Sequence, residues 1–163
     1  MANLQIDFDN EEMLAQIELT TREVERIFSH VLQDQDVTES CQVSVSLVSD
    51  EEMQAINRQW RSVDAPTDVI SIECERPGDQ DLSNDEIVVL GDIFLSPCYV
   101  CAQAERFNTT SAQEATLLLT HALLHLLGYD HEEEAEAKIM EELEDRLVKQ
   151  LTHIQSSSNS PAI

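Results

Sequence analysis

The stretch that most constrains this chain is His121-Ala122-Leu123-Leu124-His125-Leu126-Leu127-Gly128-Tyr129-Asp130-His131. His121 and His125 stand four residues apart inside an apolar run. On a helix that spacing puts both on one face, one turn apart. Gly128 then suits a left-handed helix cap, because it has no Cβ to clash. A chain that reverses there can return His131 to the other two. Three imidazoles converging on one point are the ligand set of a catalytic zinc site, with a fourth position open for water.

A single histidine on an apolar face is more often a core residue with its ring nitrogens satisfied. Three of the five histidines gathered around one helix-ending glycine favour a metal site instead. The spacing matches the H-E-x-x-H-x-x-G-x-x-H pattern of metzincin proteases at every ligand and at the glycine. It departs where those enzymes carry the general base, since Ala122 replaces the glutamate. Met140 lies in a charged helical run and does not supply their methionine turn. A protease-like ligand geometry without the protease base points to different chemistry.

Length and composition set the frame. A chain of 163 residues with 42% hydrophobic content fits one globular domain with a real core. No apolar run approaches the ~20 residues that span a bilayer. The first residues show no basic stretch followed by an apolar one, so no secretory leader is expected and the expected compartment is the cytoplasm. Cys41, Cys74, Cys98 and Cys101 read as buried thiols in a reducing compartment. Cys98-Tyr99-Val100-Cys101 has C-x-x-C spacing but no second pair, and it follows Pro97 in helical text. The net charge of −24, from 33 acids against 9 bases, opposes non-specific nucleic-acid binding. An anionic substrate must therefore be met locally, by the metal and a few arginines.

Local patterns give the elements. Leu4 to Phe8 and Cys41 to Val48 alternate as strands do. Residues 11–34 read as helix in two pieces, with Thr20 and Glu23 as a capping box. Ser49 with Glu52 opens a short helix carrying Met53 and Ile56. It leads into the polar, partly basic segment Asn57 to Asp68. Val69 to Ile72 is a strand, followed by an acidic loop from Pro77 to Asp85. Ile87 to Leu95 is a continuous apolar strand and so a central one. Ser96 and Pro97 look like N-cap and first helical residue of a helix reaching Phe107. Ser111 with Glu114 is expected to cap the helix bearing the first two histidines. From Glu132 to about Ile154, Ala135, Ile139, Met140, Leu143, Leu147 and Leu151 keep a helical stripe with acidic outer faces. The fold class expected is α+β: a small mixed β-sheet covered by helices.

Two segments together resemble a known family, the YbeY zinc-dependent endoribonucleases, which are bacterial rRNA maturation factors. Residues 121–131 match its H-G-x-L-H-L-x-G-Y-D-H signature throughout, except at Ala122. Asn57 to Ser71 is similar to its N-x-x-[WY]-R-x-x-D-x-P-T-D-V-L-S-F run, with Ile70 and Ile72 as departures. Gly91-Asp92-Ile93 and Gln103-Ala104 fit two shorter family features. The resemblance spans roughly residues 40 to 150. It implies a zincin-like fold, one Zn2+ per chain on His121, His125 and His131, and Arg61 as a catalytic arginine near the metal. It further implies a single-stranded RNA substrate, action at the 3′ end of 16S rRNA and in ribosome quality control, and ribosomal partners. DNA and membranes are not expected as partners. Residues 1–155 would form the single hydrolase domain, with 156–163 as a flexible tail.

Other readings stay open on the residues alone. Arg61 fits equally a surface or Trp60-packing arginine. Asp68 fits a turn cap or an orienter of a ligand histidine. Tyr129 and Asp130 fit either the chain reversal or a hydrogen bond to a histidine. Neutral nitrogen ligands also suit other late transition metals. The rival functions are a zinc peptidase or amidohydrolase, and a non-catalytic ribosome-assembly factor whose zinc is structural. In the latter a fourth protein ligand would close the coordination, and Cys98 or Cys101 could in principle provide one.

Overall fold

The computed structural model describes residues 3–78 and 86–158. Four strands, β1 (Leu4–Asp9), β2 (Cys41–Leu47), β3 (Val69–Glu73) and β4 (Val88–Leu95), form one sheet in the order β1-β2-β4-β3. The pairs β1–β2 and β2–β4 are parallel, and β3 runs antiparallel to β4. The sheet is mixed, as expected, and the continuous apolar strand β4 lies inside it. β2 shows the clearest alternation, burying Cys41, Val43, Val45 and Leu47 while its serines point to the other face.

A 3-10 helix (Glu11–Ile17) precedes α1 (Thr21–Asp34), and a left-handed Glu18 separates the two. Then come α2 (Asp50–Arg61), α3 (Pro97–Phe107), α4 (Ser111–Leu126) and α5 (Glu134–Ser158). The reciprocal caps Thr20/Glu23 and Ser49/Glu52 form as the sequence indicates, and Ser96 caps α3 ahead of Pro97. α4 is buried on most of its surface, including Ala115, Leu119, Ala122, Leu123 and Leu126. Its buried Thr116 and Thr120 hydroxyls donate to the carbonyls of Ala112 and Thr116, at 2.7 and 2.8 Å, so neither is left unsatisfied. On the far side, the Arg146 guanidinium forks onto Asp34 at 2.6 and 3.0 Å, tying α5 to α1. That hydrogen-bonded fork holds the Asp34 carboxyl below its ordinary value.

Several expectations need correction. The cap of α4 is Thr110 with Gln113, one residue earlier than Ser111 with Glu114. Thr110 has the extended backbone a cap needs, and the Gln113 amide oxygen takes the returning N–H at 3.0 Å. Glu114 is thereby free to turn inward, where it is buried. α2 runs to Arg61 rather than ending near Ile56, closed by a left-handed Ser62. Arg58 and Arg61 in its last turn suit the negative end of the helix dipole. Buried Asn57 donates to the Ala65 carbonyl at 2.9 Å and braces the loop beyond. Only Cys41 of the four cysteines is buried, and burial pushes its thiol up to about 11. Cys74 and Cys98 are exposed, and Cys101 is half-buried, with Sγ on the Gln16 carbonyl at 3.2 Å. The inner stripe of α5 begins at Met140, since Ala135 and Ile139 face solvent where the helix starts clear of the body. α5 also continues to Ser158, into the stretch expected as tail. Residues 79–85 of the acidic loop and 159–163 lie outside the described residues.

Gly91 marks where the sheet is tightest. Leu90 is an extra residue in β4 opposite the Gln42–Val43 step of β2. Gly91 follows it with φ of 142°, and a Cβ there would lie 2.1 Å from the Ile72 carbonyl oxygen. That oxygen is backbone and cannot step aside. Gly91→Ala is therefore expected to destabilise the fold by about 3 kcal/mol, read as a lowered denaturant midpoint. An unchanged midpoint would contradict the close approach.

Candidate metal centre

α4 ends in a cap that decides where the third histidine goes. Leu127 is its C-cap, and Gly128 follows with φ of 107°. The Gly128 N–H donates to the His125 carbonyl at 3.0 Å, and the Tyr129 N–H to the Leu124 carbonyl at 3.1 Å. This pair of bonds is the Schellman arrangement, which satisfies the last carbonyls and turns the chain back. Tyr129 Oη then donates to Gln35 at 2.5 Å, pinning the turn to the end of α1. Asp130 Oδ1 accepts the His131 N–H at 2.7 Å, which fixes the approach of the last ring.

The three rings meet. Centroids are 4.6 Å apart for His121 and His125, 4.9 Å for His125 and His131, and 5.6 Å for His121 and His131. One nitrogen from each lies within 4.8 Å of the others, so the group could hold a metal ion. Burial holds His125 below its ordinary value, with His121 and His131 beside it adding to the effect. Its neutral form, the one a metal requires, is thereby favoured. The donor set therefore fits a late transition metal.

Glu144 of α5 is the residue that sequence reasoning missed. Its buried carboxylate touches His121 Nδ1, so Nε2 is the ring nitrogen that a metal could use. A carboxylate behind a ligand imidazole fixes its tautomer and orientation. A signal existed, because Glu144 falls between Met140 and Leu147 at helical spacing and so shares the buried face of α5. Asp68, weighed from sequence as a turn cap or as an orienter of a histidine, accepts from the Val69 N–H at 2.7 Å just before β3, in keeping with the turn, and it lines the same cleft as the histidines. Among the described residues the ligand group holds three histidines and no fourth protein ligand. Neither Cys98 nor Cys101 lines the cleft at the cluster.

That cleft measures about 620 Å³ and is walled by β3, α4 and the ends of α2 and α3. Arg61 lines it together with all three histidines, and its side chain is exposed. Among the described residues Arg61 makes no salt bridge, which leaves its guanidinium available to an anion. Gln103 donates to buried Glu114 at 2.9 Å in the cleft wall.

Replacing Glu144 by alanine should weaken metal affinity by roughly 10- to 100-fold, with the fold intact by circular dichroism. Competition against a chromophoric chelator measures this directly, and equal affinities would remove the role given to Glu144.

Known proteins can now be set beside this geometry. The family model described as Endoribonuclease YbeY matches residues 5–152. Endoribonuclease YbeY of Sulfurihydrogenibium is 38% identical over 136 residues, covering 83% of this chain and 86% of that one. The protein of the same name from Francisella tularensis subsp. holarctica is 35% identical, covering 93% and 91%. That from Lysinibacillus sphaericus is 37% identical, covering 90% and 94%. Among solved structures, the solution structure of TM1509 from Thermotoga maritima aligns with a TM-score of 0.59 at 26% identity, over 98% of this chain and 99% of that one. Matched by that family model over residues 5–152 and by relatives 35–38% identical along most of both chains, this chain belongs to the endoribonuclease YbeY family.

Proposed function

We propose that this protein is a zinc-dependent endoribonuclease that cuts single-stranded RNA, acting in the cytoplasm on rRNA at the 3′ end of 16S rRNA and in ribosome quality control. The observation that carries the reading is an imidazole cluster and an arginine without a salt bridge among the described residues, together in one open cleft. The family's name supports RNA as substrate. No helix among the described residues is long and apolar enough to cross a membrane.

The chemistry divides among the residues. His121, His125 and His131 would hold the ion, and Glu144 would keep the His121 ring in its ligating orientation. A zinc ion held by neutral ligands supplies Lewis acidity to water and to a phosphodiester oxygen. Arg61 would pair two phosphate oxygens through its planar fork, an interaction that strengthens as charge builds in the transition state. Asp130 would keep His131 in reach by holding its backbone N–H. Ala122, 1% exposed within α4, has no acid–base chemistry to offer, which weighs against the peptidase reading. A structural zinc would call for a fourth protein ligand, and the three-histidine group favours catalysis instead.

Two variants separate the parts. His125→Ala should abolish both zinc retention and RNA cleavage, measured by metal analysis and by cleavage of a labelled single strand. Full cleavage by a metal-free variant would end the mechanism. Arg61→Ala should keep its zinc and lose activity on the order of a hundredfold. Wild-type cleavage by that variant would refute the part assigned to Arg61.

A further inference from the structure

We infer that Phe107 is a stacking platform for a base of the bound RNA strand, an inference that rests on the nuclease reading of the cleft. Phe107 is the last residue of α3 and is 58% exposed, yet it lines the same cleft as Arg61 and the histidines. The chain's other phenylalanines are buried or half-buried, Phe28 fully so. The exposed part of the Phe107 ring adds little to the stability of the fold, since only apolar area removed from water contributes.

Charge says why the site needs such a ring. A net charge of −24 repels a polyanion, and Arg61 is the one arginine or lysine among the described residues lining the cleft. Phosphate neutralisation, the usual source of affinity, is therefore weak here. Stacking on an aromatic face needs no positive charge and tolerates any base. It also demands a base free of its partner strand, which is the chemistry of single-stranded RNA. The left-handed Asn108 ends α3 directly after Phe107, so the ring stands at the helix end where a strand can reach it.

The test is equilibrium binding of a short, labelled 2′-O-methyl oligoribonucleotide to zinc-loaded protein, the modification removing attack by the 2′-hydroxyl and gel analysis checking that water attack has left the strand intact. Phe107→Ala should weaken binding roughly tenfold or more with metal content unchanged, and Phe107→Trp should restore it. Trp60, 57% exposed but outside the cleft lining, provides the control variant Trp60→Ala. Replacing one nucleotide by an abasic one, position by position, should find a place where wild type loses this factor and Phe107→Ala loses little. Unchanged binding by Phe107→Ala, equal losses in both alanine variants, or no binding by wild type would overturn the stacking role. The nuclease reading fails separately, if wild type leaves an unmodified strand uncut.

Discussion

The two backbone hydrogen bonds that close α4 govern the rest of this molecule. They run from Gly128 and Tyr129 back to His125 and Leu124, and they require a left-handed residue at position 128. Without that reversal, His131 would continue along the helix axis, away from His121. With it, a ring from beyond the helix joins two rings on its face. The helix is held firmly enough for this, because it is buried against α1, α3, α5 and β3. The geometry of the histidine cluster is thus inherited from a helix cap and a packed core.

The sheet and outer helices complete what the cap begins. β3 forms one wall of the cleft, and its spacing from β4 depends on the absent side chain of Gly91. The extension of α2 brings Arg61 to the rim on an ordered helical turn. α5 then returns across the site and brings Glu144 against His121, while Arg146 one turn-fraction on grips Asp34 of α1. One helix therefore both braces a histidine of the cluster and locks the fold, which ties the geometry of the candidate site to packing. A strongly acidic chain keeps almost all its positive charge away from this cleft, so an anion entering it would be met by direct contact more than by a long-range field.

Much of this was legible in the sequence. Histidine spacing, the capping glycine and the alternation in β2 each have a strict geometric consequence, and each is found. What was not legible depended on phase or on tertiary surroundings. Glu144 is one of 33 acids and differs from its neighbours only in its rotation about α5. The α4 cap slipped by one residue because Thr110-x-x-Gln113 and Ser111-x-x-Glu114 are both good boxes, and burial of Glu114 decides between them. The end of α2 hid in polar text, since Asn57 to Arg61 carries no apolar stripe. Cysteine exposure was misjudged because a thiol's neighbours come from distant elements.

The central claim is a cage of three imidazoles with one side open to small molecules. X-ray absorption of the zinc-loaded protein, with and without added azide, tests it most directly. The account predicts three imidazole nitrogens at about 2.0–2.1 Å and a fourth position that changes when azide is added. A sulfur ligand, or four protein ligands indifferent to azide, would contradict it.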